Sequence, residues 1–125
     1  MKNYKMSFGT IIKLNNNLAE IVVDDGIEMN VTQVKEYHNF LLNNLKAPFY
    51  LLVNRKHAYT YTFEAQKAIV NFDKIKKLAV LLSTHGGLMS SETLLSLNAN
   101  LNWEISWFNK REDALAWLNE IDVLK

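Results

Sequence analysis

The sequence predicts an α/β fold in which an N-terminal hairpin precedes a mostly parallel sheet with helices packed against it. Two continuous apolar runs, at residues 49–53 and 78–82, indicate strands buried on both faces, because a strand with one solvated face would alternate. Helical patterns separate and follow these runs, which is typical of parallel strands joined by right-handed crossovers. The predicted order of elements is β-β-α-β-α-β-α-β-α.

Composition limits the classes of function. The 125 residues suit a single domain, residues 1–125, and 49% hydrophobic with 22% charged residues is ordinary for a globular chain. A net charge of +1 gives no general attraction to nucleic acid or to an anionic membrane. The absence of cysteine excludes disulfides and thiolate chemistry and fits a cytoplasmic location. We expect no signal peptide and no integral membrane segment, because no apolar run is long enough.

The chain is expected to begin with the hairpin. Apolar and polar residues alternate over 4–14, which predicts a strand with one apolar face. The asparagines at 15–17 predict a turn, and residues 18–23 predict the second strand. Asp24 and Asp25 would supply a pair of carboxylates for acid–base catalysis. Gly26 directly after them favours a turn instead.

The first helix is predicted to start after Asn30. Asn30 is a good N-cap, and Gln33 stands at the reciprocal position of a capping box. Pro48 marks the exit from this helix into the buried strand at 49–53. Helical spacing assigns the core face of the helix to Val31, Val34, Tyr37, Leu41 and Leu45.

The central strand of the predicted sheet lies at 78–83, after a short helix that Thr62 caps and that runs to Phe72. A polar loop with two glycines follows this strand. Ser90 or Ser91 is expected to cap the next helix.

The last predicted strand, at 103–108, alternates and therefore lies nearer the sheet edge. Its apolar stripe is expected to be core beneath the last helix, with a homodimer surface as the alternative. The stripe consists of Trp103, Ile105 and Trp107. Asn109 with Glu112 predicts a capping box for the last helix.

Residues 108–118, with the sequence FNKREDALAWL, resemble the last strand and helix of the SpoIIAA-like or STAS domain family. Residues 80–93 also fit this family, and the resemblance covers nearly the whole chain. Within the family, the chain looks like the STAS/Sec14-type group of small uncharacterised bacterial proteins. It implies a non-enzymatic regulatory module similar to anti-sigma-factor antagonists. The family's Asp-Ser phospho-switch has no counterpart at 54–62, where Thr60 and Thr62 are the nearest hydroxyls.

Two predicted loops form the candidate partner or ligand surface. Parallel strands place their carboxyl-terminal loops at the same edge of a sheet, where ligands tend to bind. An arginine, a lysine and a histidine stand beside tyrosines in the first loop, a pattern that suits binding of a partner or an anionic headgroup. The alternative is a solvated loop with the aromatic rings beneath it. The candidate residues are Arg55, Lys56, His57, Tyr59, Thr60, Tyr61, Thr84 and His85.

No motif predicts catalysis or a cofactor. The sequence contains neither a G-x-S-x-G elbow nor a nucleotide-binding glycine motif. A hydrolase that pairs Ser83 or Thr84 with His85 and His57 is one alternative. A binder of a small apolar or lipid-like molecule between the helices and the sheet is another. The first expectation is a protein-interaction module without cofactor or metal, whose partner is another protein or a second copy.

Overall fold

The computed structural model describes residues 2–70, 72–82 and 104–123 of the chain. The elements in chain order are β1 (Lys2–Met6), β2 (Gly9–Lys13), β3 (Leu18–Val23), β4 (Glu28–Met29), α1 (Val31–Asn44), β5 (Phe49–Arg55), β6 (Thr60–Tyr61), α2 (Phe63–Val70), β7 (Ile75–Leu82), β8 (Glu104–Phe108) and α3 (Arg111–Val123).

A mixed sheet confirms the predicted α/β class. The six-stranded sheet has the order β1-β2-β3-β5-β7-β8. Strands β1, β2 and β3 pair antiparallel, whereas β3, β5, β7 and β8 pair parallel. Strands β4 and β6 form a separate parallel pair, here called the ribbon.

The order of elements differs from the prediction before α1. The predicted strand at 4–14 is two strands, β1 and β2, joined by a turn at Ser7 and Phe8. The sequence pattern hides this turn because Phe8 is fully buried and so continues the apolar alternation. The ribbon strands were not predicted, since two residues each are too few to show a period. The helix predicted from Ser90 lies outside the described residues.

The sheet is covered on both faces. Strand β5 contributes Leu51 to the core beneath α1 and α2, and Leu52 to the core beneath α3. Both leucines are 0% exposed, so the prediction of strands buried on both faces is confirmed. The core on the α3 face consists of Leu18, Leu52, Ala79, Ala114 and Leu118.

The predicted N-caps of α1 and α2 are both present. The backbone N–H of Gln33 donates to Asn30 Oδ1 at 2.9 Å, and the Asn30 N–H donates to Gln33 Oε1 at 3.1 Å. The Ala65 N–H donates to Thr62 Oγ1 at 3.1 Å. Helix α2 is described as far as Val70, and Phe72, the predicted end, lies outside any helix.

The apolar stripe of β8 faces the opposite side from the prediction. Ile105 and Trp107 pack against the core beneath α1 and α2, whereas Phe108 lies under α3. The ring centroids of Phe108 and Trp117 are 5.6 Å apart. The expectation that the stripe lies beneath the last helix is therefore wrong, because alternation alone does not tell which face a helix covers. Trp103 lies outside the described residues.

Gly9 provides a direct test of the β1–β2 turn. A β-carbon on Gly9 would lie 2.1 Å from the Val22 carbonyl oxygen and 2.9 Å from Val23 Cα. Gly26, by contrast, has φ +81° and open space around it. We expect Gly9→Ala to lower the free energy of unfolding by about 3 kcal/mol, because the backbone of β3 would have to move away from the added methyl group. Gly26→Ala should cost roughly 1–2 kcal/mol, from its backbone angle alone. Urea denaturation of both variants measures this, and equal costs would contradict the close approach.

Candidate functional site

The loop after β5 is fixed to the segment before α1. The Thr60 N–H donates to Ile27 O at 3.0 Å, and the Thr62 N–H donates to Met29 O at 2.9 Å. The Gly26 N–H donates to Ala58 O at 2.8 Å. These bonds pair the two segments with each other beyond the carboxyl ends of β3 and β5.

The structure divides the predicted surface residues into buried and exposed sets. Arg55 and Tyr59 are buried, at 6% and 4% exposure. Lys56 and Thr60 are exposed, and His57 is half-buried. Tyr61 is half-buried as well. Ser83, Thr84 and His85 lie outside the described residues, and so does the alternative in which His57 pairs with His85.

The side chains of Arg55 and Tyr59 stack on each other. The guanidinium carbon of Arg55 lies 4.1 Å from the centroid of the Tyr59 ring, and Arg55 Nη2 donates to Tyr59 O at 3.1 Å. Arg55 is buried because it shares a face of β5 with Leu51 and Val53, which point to the core beneath α1 and α2. A buried cation–π contact of this kind stabilises by about 2 kcal/mol.

A small cavity lies between the sheet, α1, α2 and the ribbon. Its volume is about 30 Å³, and its walls are apolar apart from Arg55 and three tyrosines, Tyr37, Tyr59 and Tyr61. The hydroxyl of Tyr59 is buried and lies within hydrogen-bonding reach of the Tyr61 side chain. The sequence pattern identified Tyr37 only as a core residue of α1, because its approach to the other tyrosines is a tertiary contact.

Burial sets the protonation of these tyrosines. Desolvation raises the pKa of Tyr37, and the neighbouring Tyr61 raises it further. Desolvation also raises the pKa of Tyr59 well above its usual value, and Tyr61 adds to the shift while Arg55 opposes it. Both phenols are therefore neutral hydroxyl donors near neutral pH.

A polar network occupies the other face of the same strand end. Asn54 Nδ2 donates to Glu20 Oε2 at 2.9 Å, and Arg111 Nη2 donates to Glu20 Oε1 at 2.7 Å. Glu20 is buried, and its hydrogen bond is the main cause that raises the pKa of Arg111. This network fixes the start of α3 to β3 and β5. The sequence pattern did not indicate Glu20 as a buried residue of the site, because a lone acidic residue in a strand usually indicates a solvated face.

A buried cation, Lys77, holds α3 further along the helix. Lys77 Nζ donates to Trp117 O at 3.0 Å and lies 4.4 Å from the Trp117 ring centroid. Lys77 is only 6% exposed. In the sequence it marks the boundary of the apolar run at 78–82, and only the packing of α3 shows that it is buried.

The remaining described histidine, His38, is a packing residue. Its ring stacks on Phe72 with centroids 4.2 Å apart and planes 5° apart. Burial lowers the pKa of His38 to about 4, against the effect of a hydrogen bond to the Ile69 backbone.

Within residues 2–70, 72–82 and 104–123, no group of His, Asp and Glu side chains is arranged to hold a metal ion. Over the same ranges, no helix has the length and apolarity that a membrane crossing requires.

Comparisons of the chain with protein-family models, with curated proteins and with solved structures found no match. The resemblance to the SpoIIAA-like family therefore stays a prediction from the sequence. The ribbon and the exposed residues that follow β5 are the features on which a functional proposal is built.

The Glu20 network predicts a compensating pair of substitutions. Arg111→Met removes the cation and leaves the Glu20 carboxylate buried with Asn54. We expect a loss of about 2 kcal/mol, less than for a fully buried pair, because the Arg111 side chain is 43% exposed. Adding Glu20→Gln removes the buried charge and should recover part of that loss. Denaturant titration of both variants measures this, and a double variant less stable than Arg111→Met would contradict the role of the pair.

Proposed function

We propose that this chain is a non-enzymatic protein-interaction module of SpoIIAA-like type, which binds its partner at the start of α2. The supporting observation is Phe63, the first residue of α2, whose large aromatic side chain is 65% exposed. Lys67 Nζ lies 4.4 Å from the Phe63 ring centroid, and this contact orients the ring on the surface. Exposed aromatic rings with neighbouring cations are frequent anchors of protein interfaces.

The residues around Phe63 extend this site into a contact surface, defined here as Lys56, His57, Thr60, Tyr61 and Phe63. Its backbone is fixed at Ala58, Thr60 and Thr62 by hydrogen bonds to the segment before α1. A surface that is ordered before binding loses less conformational entropy on association. The ribbon therefore supports a preformed binding surface rather than one that orders on contact.

The position of the contact surface agrees with the resemblance. In the resembled family, the switch that controls partner binding opens the helix after the corresponding strand. Here Thr62 Oγ1 accepts the Ala65 N–H as a helix cap, whereas Thr60 is exposed. We therefore propose binding that does not depend on an Asp-Ser phospho-switch.

The two alternative functions have less support. The cavity of about 30 Å³ is too small for a lipid-like ligand. A larger cleft of about 370 Å³ lies between the sheet and α3, but asparagines make up half of its lining residues, which does not suit an apolar ligand. The hydrolase alternative requires Ser83, Thr84 and His85, which lie outside the described residues. No contact among the described residues supports it.

Substitution of Phe63 tests the proposal. We expect Phe63→Ala to weaken partner retention at least tenfold, because an aromatic anchor typically contributes about 2 kcal/mol or more. Its effect on stability should stay within about 0.5 kcal/mol, since the ring is largely exposed. The measurement is quantitative capture of binding proteins, and of a second copy of the chain, by the immobilised wild type and variant.

Leu42→Ala is the matched control, because Leu42 is the other exposed large hydrophobic residue of the described chain, at 46%, and lies on α1. It should leave retention unchanged. A wild type that retains no protein, or a Phe63→Ala chain that retains the same proteins equally well, would refute the proposed surface.

A further inference from the structure

The ring of His38 connects three parts of the chain on the face of the sheet that α1 and α2 cover. The ring belongs to α1 and stacks on Phe72 with centroids 4.2 Å apart. The Phe72 ring stacks in turn on Phe49 of β5, at 5.8 Å. The backbone of Ile69, near the end of α2, forms a hydrogen bond with the imidazole. Contacts to this one ring therefore join the end of α2, and Phe72 after it, to α1.

The surroundings of the ring do not suit a proton. An imidazolium donates from both ring nitrogens. The Nε2 atom of His38 is buried, and among the described residues the Ile69 backbone is the hydrogen-bonding group that acts on the ring. The face of Phe72 attracts a cation, but burial outweighs that attraction, because the pKa of His38 is lowered to about 4.

No charged side chain of the described residues compensates a proton on His38. Burial is the main cause of the lowered pKa, and only the Ile69 backbone opposes it. The charged residues of α1, α2, β5 and the segment 72–74 are engaged elsewhere or exposed. Glu36, Lys67 and Arg55 contact Ser7, Phe63 and Tyr59, and the others, Lys35, Glu64, Asp73 and Lys74, are exposed.

Helix α2 has few other contacts that hold its end. It comprises only the eight residues Phe63–Val70, and a helix of this length is not stable alone. Ala65 is its one fully buried side chain among those that the structure describes. The start of α2 is fixed, since Thr62 caps it and the Thr62 N–H donates to Met29 O. Its end depends on the contacts with His38, and segments with few buried contacts open most readily.

We propose that His38 is an acid-sensitive latch between α1 and α2, and that a proton on its ring releases the end of α2 and Phe72 from α1. The contact surface around Phe63 lies at the other end of α2, so the latch does not depend on the proposed function.

The latch weakens as the pH falls. In the released state the ring is solvated and has its usual pKa of 6.5, whereas in the latched state its pKa is about 4. The released state therefore binds the proton more tightly. The full stability of the latch is present above pH 6.5 and is lost progressively as the pH falls toward 4.

Urea denaturation of the whole chain tests this linkage. His38→Phe keeps an aromatic ring next to Phe72 and cannot be protonated. Relative to this variant, the unfolding equilibrium constant of the wild type should rise about ten- to a hundredfold between pH 7 and pH 4, the lower figure applying because the ring is only half-buried. The comparison cancels the carboxylates that both chains share. His38→Gln should show the same reduced pH dependence, and a wild type that follows both variants would overturn the proposal.

Hydrogen exchange of the backbone amides tests whether the release is local. The amides of Ala68 and Ile69 should exchange at a lower free energy than those of Leu51 and Leu52. Their opening constant should rise about tenfold from pH 7 to pH 5 in the wild type, but not in His38→Phe. Amides of α2 that exchange only together with those of β5, or an opening constant with the same pH dependence in both chains, would overturn the latch.

The ring of His38 provides a readout in the wild type alone. Its C–H resonances should titrate in the folded chain with a midpoint of about 4. A midpoint at the usual pKa of 6.5 would show that the folded chain accepts the proton without penalty, and would overturn the proposal.

Discussion

The burial of β5 on both faces is the constraint on which the rest of the structure depends. This strand lies between β3 and β7, and its consecutive residues Leu51 and Leu52 enter opposite cores with no exposed surface. The parallel pairing opposes Leu52 to Glu20 on one side and to Ala79 on the other. Helices α1 and α2 cover one face and α3 covers the other, so neither layer can form without this strand.

The same alternation determines the chemistry at the carboxyl end of β5. Asn54 points to the α3 face and binds the buried Glu20, whereas Arg55 points to the opposite face and stacks on Tyr59. Two adjacent residues thus fix the start of α3 and line the tyrosine cavity. The loop that follows them carries the contact surface, and its bonds to the segment before α1 keep that surface in a single arrangement.

Local sequence signals predicted an element correctly where a single pattern, such as an apolar run or a helix cap, determines it. The continuous apolar runs identified β5 and β7, and side-chain oxygens at Asn30 and Thr62 identified two helix starts. The β1–β2 turn was missed because buried Phe8 continues the alternation across it. Periodicity gives the two faces of a strand but not the helix that covers each of them.

The candidate site was predictable only in part, because periodicity does not show which residues meet in the folded chain. The tyrosines and Arg55 were identified as a cluster from their spacing in one loop. Their burial, the contribution of Tyr37 from α1, and the Glu20–Arg111 pair depend on contacts between residues far apart in the chain. Lys77 shows the limit clearly, since a lysine at the edge of an apolar run is buried once Trp117 packs over it.

Native-state hydrogen exchange of the backbone amides tests the central role of β5 most directly. We expect the amides of Leu51, Leu52 and Val53 to exchange only through global unfolding, with a free energy equal to that from denaturant titration. The amides of the edge strand β1 should exchange at lower free energy. Exchange of the β5 amides through a local opening, at a free energy no higher than that of β1, would show that the fold does not depend on β5.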